Sequence, residues 1–139
     1  MKIVVLGSTG MLGWAVGNYM MKEYGEDNVW LSNRDFDKSY AKNTFYFDPL
    51  RIELGAAKLD GILSCDYIIN CIGVIKPFIM KDIASSIQIN SIFPRKLANY
   101  CEEKDITVSF FKLDGSKIND LLSLKFNEQL QIIKLAKAL

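Results

Sequence analysis

Residues 2–20, KIVVLGSTGMLGWAVGNYM, combine three local signals in one short stretch. The first is the apolar run KIVVL, which is too short for a helix and rich in β-branched residues, as in a buried parallel strand. Three glycines follow at three-residue spacing, and apolar residues then recur at helical spacing. A strand, a glycine-rich turn and a helix in this order predict an α/β fold with a ligand-binding turn.

Each glycine of this turn has a separate physical role. We expect Gly7 to permit a tight turn, Gly10 to let a pyrophosphate approach the backbone, and Gly13 to let the helix lie close to the sheet. Free N–H groups and the helix dipole would then favour the phosphates, and Ser8 and Thr9 add hydroxyls. The pattern predicts dinucleotide binding; the alternative is a glycine-rich turn that binds no ligand.

Composition limits the other functions. A length of 139 residues predicts one domain spanning residues 1–139, and a hydrophobic content of 50% argues against disorder. The net charge of +1 gives no sign of nucleic-acid or membrane-surface binding, and no apolar run approaches the ~20 residues of a membrane span. Because the sequence has no histidine and no visible ligand cluster, we predict no metal site. Three scattered cysteines and the lack of a signal-peptide pattern predict a cytoplasmic protein with free thiols.

A second strand is predicted at residues 28–32, and the polar residues after it would meet the adenosine ribose of a dinucleotide. Arg34 would hold a 2′-phosphate by charge-assisted hydrogen bonds, whereas an acidic residue would select NAD. Because Asn33 and Arg34 precede Asp35, we expect NADP rather than NAD. The alternative is a solvated charged loop.

A third strand is predicted at residues 44–47, and Asp48 follows it. At the cofactor edge of the sheet its carboxylate would accept a hydrogen bond from the adenine amino group. Alternatively, it caps a turn or helix at Pro49. Residue chemistry alone does not separate these interpretations. A helix weakened by two glycines is predicted at residues 50–64.

The fourth predicted strand, residues 66–72, is apolar on both faces, as expected of a central parallel strand. Gly73 at its carboxyl end would let a flat ring or a ribose approach the backbone, since ligands of open α/β sheets bind at these ends. Residues 74–80 are expected to form a loop above the site. In that loop Lys76 faces either a phosphate or solvent.

The longest helical pattern covers residues 82–103. Pro94 cannot donate a hydrogen bond, so the carbonyl of Asn90 loses its usual helical partner. We therefore expect Asn90 to lie at a local irregularity and to face inward, either beside the site or bonded to the broken backbone.

The end of the chain predicts a strand at residues 106–113 and a helix at residues 118–139. Apolar residues cover two sides of this helix, and only one side can cover the sheet. The second side indicates a partner chain, and so a homodimer, or missing sequence.

Five segments in order resemble the extended short-chain dehydrogenase/reductases: GSTGMLG at 7–13, NR at 33–34, YFDP at 46–49, DYIINCIGVIKP at 66–77 and INSIFPRKLANYC at 89–101. The most similar subgroup contains nucleotide-sugar epimerases and dTDP-4-dehydrorhamnose reductase-like enzymes. The resemblance covers residues 1–108. It implies a truncated Rossmann-type fold, a doubly wound parallel sheet of about five strands in three α/β/α layers, which uses NAD or NADP on a nucleotide sugar.

The resemblance also implies roles along the cofactor. It assigns Gly7, Thr9, Gly10, Met11, Leu12 and Gly13 to the pyrophosphate, Asn33 and Arg34 to the adenosine ribose or its 2′-phosphate, Asp48 to the adenine, and Cys71, Ile72 and Gly73 to the nicotinamide-side ribose. Ser8 and Asn90, proposed on their own chemistry, complete the predicted set.

The catalytic part of the family pattern is absent. The family carries a Ser/Thr-rich segment after the fifth strand and a later Tyr-x-x-x-Lys pair, whose tyrosine is the acid/base. Residues 108–115 retain only Asp114-Gly115 of the first, and Ile133 stands at the position of the tyrosine. Residues 109–139 are thus an atypical tail, and we predict no catalytic residue. We expect cofactor binding with negligible turnover; the alternative is a non-catalytic Rossmann module for interaction or dimerisation.

Overall fold

A single parallel sheet forms the centre of the molecule. The computed structural model describes residues 1–35 and 40–111. In this part of the chain the strands are β1 (Ile3–Leu6), β2 (Val29–Asn33), β3 (Thr44–Tyr46), β4 (Tyr67–Asn70) and β5 (Thr107–Phe110). They pair in parallel in the order β3-β2-β1-β4-β5. The two central strands, β1 and β4, are short and almost wholly buried, as their apolar sequences predict.

Helices connect the strands. They are α1 (Met11–Tyr24), α2 (Ala57–Leu63), α3 (Lys76–Ile79), α4 (Ile83–Ile87) and α5 (Phe93–Glu103). A short 3₁₀ turn (Glu26–Asn28) leads into β2, and a π-helical segment (Gln88–Ile92) joins α4 to α5.

Side chains that alternate along β1 divide the core into two layers. Val4 and Leu6 pack in a cluster with residues of α2 and α5. Ile3 and Val5 pack in a second cluster with residues of α1. Helices therefore cover both faces of the sheet, and the predicted three-layer, doubly wound architecture is confirmed.

The order of the strands creates a switch point. The chain fills one side of β1 with β2 and β3, then crosses to the other side for β4 and β5. The carboxyl ends of β1 and β4 thus lie side by side where the winding reverses, which is where open α/β sheets bind ligands. The glycine-rich turn leaves β1 at this point.

The predicted elements are present with changed bounds. Helix α1 ends, as expected, at Gly25, which has φ of 86° and donates its N–H to the carbonyl of Met21 at 3.0 Å. Strand β2 has its predicted length but begins and ends one residue later, whereas β1, β3 and β4 are shorter than predicted by one to three residues. The prediction of one helix over residues 50–64 is wrong, because the chain turns after Asp48 and Gly55 adopts φ of 94°, so that only α2 remains.

Residues 74–80 were expected to be a loop but contain α3, with Pro77 in its first turn, where its missing N–H costs no helical bond. All three cysteines are free, as predicted. Among the described residues, no helix has the length and apolarity needed to cross a bilayer. The predicted helix at 118–139 and residues 112–113 of the predicted last strand lie outside the described residues.

Candidate functional site

The glycine-rich turn is shaped by close backbone contacts. Gly7 has φ of +80°, a conformation that favours glycine, and a Cβ there would lie 2.9 Å from Cγ1 of Ile72. A Cβ on Gly13 would lie only 2.0 Å from the carbonyl oxygen of Gly7. Gly13 thus lets the first turn of α1 pack directly against the backbone of Gly7 and Ser8, which follow the end of β1.

Gly10 differs from the other two glycines because the space beside it is open. A Cβ at this position would meet only the carbonyl oxygen of Gly7, at 3.4 Å. Gly10 is the N-cap of α1 and provides no side-chain capping bond, and the first turn of the helix contains no acidic residue. The amide groups of Met11 and Leu12 lie in that first turn, whose N–H groups have no intrahelical acceptor. This end of α1 is therefore an open cradle for an anion.

Ser8 has a structural role instead of the predicted one. Its side chain is buried, and its hydroxyl donates to the carbonyl of Ser32 at 2.8 Å. Its backbone N–H donates to the same carbonyl at 2.9 Å, and Gly7 N–H donates to Oγ of Ser32 at 2.9 Å. The expectation that the Ser8 hydroxyl faces a phosphate is therefore wrong, since it ties the turn to β2. Thr9, by contrast, is exposed beside the cradle.

The end of β2 contains an unusual buried polar atom. Asn33 is 3% exposed, and its side-chain oxygen Oδ1 has no hydrogen-bond partner within residues 1–35 and 40–111. A buried acceptor without a partner costs about 1–3 kcal/mol, which a ligand hydroxyl at this strand end would recover. The next residue, Arg34, is exposed.

Asp48 follows β3 and is 8% exposed. Its Oδ1 accepts from the N–H of Leu50 at 3.0 Å, so the turn predicted as an alternative is present. Its Oδ2 lies 3.8 Å from Nε of Arg51. One carboxylate oxygen is therefore engaged by the turn, while the second makes a long ion pair with Arg51.

The end of β4 lies against the glycine turn. Ile72 contacts the position of the missing Gly7 Cβ, and the N–H of Cys71 donates to the carbonyl of Leu6 at 2.9 Å. Burial raises the pKa of the Cys71 thiol to about 12, so at neutral pH it is neither a thiolate nor a base. Gly73 is exposed. The predicted residues 71–73 and 7–13 thus line one continuous edge.

Asn90 holds the loop that follows β4. Its Oδ1 accepts from Val74 N–H at 2.8 Å, and its Nδ2 donates to Val74 O at 2.9 Å. The irregularity predicted from Pro94 is confirmed by the π-helical segment that contains Asn90. The inward orientation is wrong, because Asn90 is exposed and pairs with the loop rather than with the helix backbone.

Two residues of the site escaped the sequence reasoning. Ser32 anchors the glycine turn, and the Tyr40 hydroxyl donates to Ser8 O at 3.2 Å. Tyr40 also fits against α1, where a Cβ on Gly17 would approach its hydroxyl oxygen within 2.8 Å. The second glycine of α1 was the only available signal for this contact. Burial raises the pKa of Tyr40.

Comparisons with known proteins agree with this architecture. No protein-family profile and no curated protein sequence matches the chain. Solved structures, in contrast, match it over most of its length. L-threonine dehydrogenase from Clostridium difficile has 18% identity and a TM-score of 0.69, with 78% of this chain and 35% of that chain covered. The chain has a Rossmann-type fold.

Two other solved structures share this Rossmann-type fold. The GalE-like L-threonine dehydrogenase from Cupriavidus necator, in its holo form, is 14% identical with a TM-score of 0.69, and the match covers 78% of this chain and 35% of that one. MoeE5 in complex with UDP-glucose and NAD is 13% identical with a TM-score of 0.63, and the match covers 79% and 36%. The chain thus spans about a third of the length of these structures, and what it shares with them is the fold.

Proposed function

We propose that the chain is an NAD(P)-binding Rossmann domain, and that all of residues 1–139 belong to this one domain. The observation that carries the proposal is the open, uncapped N-terminus of α1 at the switch point of the sheet. A helix N-terminus alone is a weak argument. The Oδ1 of Asn33, which is buried and has no hydrogen-bond partner among the residues that the structure describes, independently points to a ligand with hydroxyl groups at the neighbouring strand end.

The dinucleotide would lie along one edge of the sheet. Its pyrophosphate would accept hydrogen bonds from the backbone at residues 9–13, where Gly10 leaves room for close approach. The adenosine would lie toward β2 and β3, with Asn33 accepting from a ribose hydroxyl and Asp48 from the adenine amino group. The nicotinamide-side ribose would lie at residues 71–73. When bound, the coenzyme supplies hydride-transfer chemistry.

NADP is the proposed coenzyme. Arg34 is exposed directly after β2, and a guanidinium at this position binds a 2′-phosphate by charge-assisted hydrogen bonds. NAD is the competing choice, because it needs only the ribose acceptors.

The substrate class follows from the resemblance to nucleotide-sugar reductases and epimerases, and the dTDP-4-dehydrorhamnose reductase-like subgroup is part of this proposal. MoeE5, one of the matched structures, holds both UDP-glucose and NAD. Proton transfer by the family tyrosine supplies ~10²–10⁴-fold in rate. Since Ile133 occupies its position, and Cys71 stays protonated at neutral pH, we expect binding without turnover. Three free thiols favour a reducing compartment such as the cytoplasm.

The variant Gly10→Ala tests the proposal at the cradle. The added methyl meets only Gly7 O at 3.4 Å, and Gly10 has φ of −74°, so the fold should persist. The methyl would occupy the space of the pyrophosphate and weaken NADP and NAD alike, by about tenfold or more. Isothermal titration calorimetry measures both affinities. The matched control is Gly61→Ala in α2, where nothing lies within 4 Å of the new Cβ.

Coenzyme binding that is absent from the unmodified chain, or unaffected by Gly10→Ala, would refute the proposed site. Reduction of a nucleotide sugar by the chain alone would contradict the absence of turnover.

A second candidate is a non-catalytic interaction module, which the exposed apolar side chains of α3 and α4 favour. Phe78, Ile83 and Ile87 are 56%, 56% and 50% exposed, respectively. If this candidate is correct, sedimentation at several concentrations will show a dimer, and NADP will not change the melting temperature.

A further inference from the structure

The ends of β2 and β3 bring three charged groups to the adenosine side of the proposed site. Asn33 pairs with Tyr46 in the parallel ladder, and the N–H of Phe47 donates to Asn33 O at 3.0 Å. Arg34 and Asp48 therefore follow adjacent, aligned strand ends. Arg51 is the third charged group, three residues beyond Asp48.

The carboxylate of Asp48 would repel a phosphate on a ribose bound at the ends of β2 and β3. This carboxylate is largely buried, and the turn engages only Oδ1. A phosphate monoester carries about −1.5 to −2 charge at pH 7. A carboxylate at the same strand ends repels it unless a cation compensates. Without a second cation, Arg34 would have to compensate both negative groups.

Arg51 is placed to compensate Asp48. The N–H groups of Arg51 and Ile52 both donate to Asp48 O, at 3.0 and 2.9 Å, which fixes the turn with Arg51 beside the carboxylate. Its Nε lies 3.8 Å from Oδ2, beyond hydrogen-bond distance, and its side chain is 78% exposed. The guanidinium thus screens Asp48 while keeping most of its N–H groups accessible to a further anion.

We propose that Arg51 acts with Arg34 to select a 2′-phosphorylated adenosine, by cancelling the charge of Asp48 and contacting the phosphate. This inference rests on the proposed dinucleotide-binding function and names a specificity-determining residue for it. Arg34 supplies one cation from β2, and Arg51 supplies the second from the turn after β3. An unphosphorylated ribose needs neither.

The test compares two pairs of ligands that differ by this phosphate. Isothermal titration calorimetry measures NADP against NAD, and 2′,5′-ADP against 5′-ADP, on the full chain. Arg51→Gln should weaken NADP and 2′,5′-ADP by about tenfold and leave NAD and 5′-ADP unchanged. The matched control is Arg95→Gln, which removes the same charge from an exposed site on α5.

A second pair of variants separates screening from a structural role. Asp48→Asn keeps an oxygen for the Leu50 N–H but removes the negative charge. In this background Arg51→Gln should cost NADP less affinity than it does in the parent chain, because no carboxylate remains to be screened. Thermal melting without ligand shows whether each variant is folded.

Four outcomes would overturn the inference. In the first two, Arg51→Gln lowers the affinity for phosphorylated and unphosphorylated ligands equally, or lowers neither affinity. In the third, Arg95→Gln weakens NADP as much as Arg51→Gln does. In the fourth, Arg51→Gln costs as much NADP affinity in the Asp48→Asn background as in the parent chain. If the unmodified chain bound neither coenzyme, the proposed function itself would fall, and the inference with it.

Discussion

Replacing Gly13 by alanine should destabilise the fold, although alanine is the better helix former. The new Cβ would lie 2.0 Å from Gly7 O, 2.7 Å from Gly7 C and 2.9 Å from Cα of Ser8. All three are backbone atoms, so no side-chain rotation relieves the contact. Reaching an ordinary contact of 3.4 Å requires a displacement of about 1.4 Å.

The turn has little freedom to move by this amount. Gly7 N–H is bonded to Ser32 Oγ at 2.9 Å, the N–H and the hydroxyl of Ser8 both donate to Ser32 O, and Ile72 lies against the other side of Gly7. Overpacking costs about 1–3 kcal/mol, and a lost backbone hydrogen bond adds about 1 kcal/mol. Alanine regains about 1 kcal/mol of helix propensity. We expect the free energy of unfolding to fall by about 1–3 kcal/mol.

Urea denaturation followed by far-UV circular dichroism measures this change. Gly61→Ala is again the control, and it should stabilise α2 by about 0.5–1 kcal/mol because its Cβ meets nothing. If Gly13→Ala were as stable as the parent chain, the steric account of the glycine turn would be refuted.

Three further predictions concern single side chains. Asn90→Ala should lower the free energy of unfolding by about 1 kcal/mol, since both hydrogen bonds to Val74 are lost at an exposed site. Thermal melting measures the change and compares it with Asn90→Asp, which should retain the bond from Val74 N–H and part of the stability. Arg34→Ala should weaken NADP binding by about 1.5–3 kcal/mol and leave NAD binding unchanged, as measured by calorimetry. An equal loss of affinity for both would exclude Arg34 as the phosphate contact. Burial and the hydrogen bond to Asp60 raise the pKa of Tyr100. The contribution of its hydroxyl to the free energy of unfolding is therefore complete below pH ~10 and is lost at higher pH. The loss of stability above pH ~10 should be smaller in Tyr100→Phe.

Much of the fold was predictable because its signals are local. β-Branched runs mark the central strands, Gly25 ends α1 through its positive φ, and Pro94 marks the irregular helix through its missing donor. Each of these residues acts on its own backbone or on a backbone group within one helical turn of it. A reader of the sequence therefore needs no knowledge of the tertiary structure to place them.

Two of the errors came from contacts between residues far apart in the sequence. The orientation of Ser8 depends on the carbonyl of Ser32, and that of Asn90 depends on Val74. Neither partner can be deduced from spacing alone, because each is fixed by how a loop packs on a neighbouring element. The helix predicted at residues 50–64 failed for another reason, since an Asx turn and a glycine with positive φ outweighed apolar spacing.

The cradle at the start of α1 is built from the main chain, and Ser32, which anchors it, lies on the neighbouring strand β2. The residues whose side chains project from it, Thr9 and Met11, are exposed and carry no part of its shape. The contacts to the proposed pyrophosphate would thus come from main-chain N–H groups and would not depend on the identity of the surrounding side chains. Most variants in a library randomised at these two positions should therefore retain affinity for the coenzyme. Thr9 and Met11 are accordingly suitable positions to attach a fluorescent reporter or to change the specificity of neighbouring contacts.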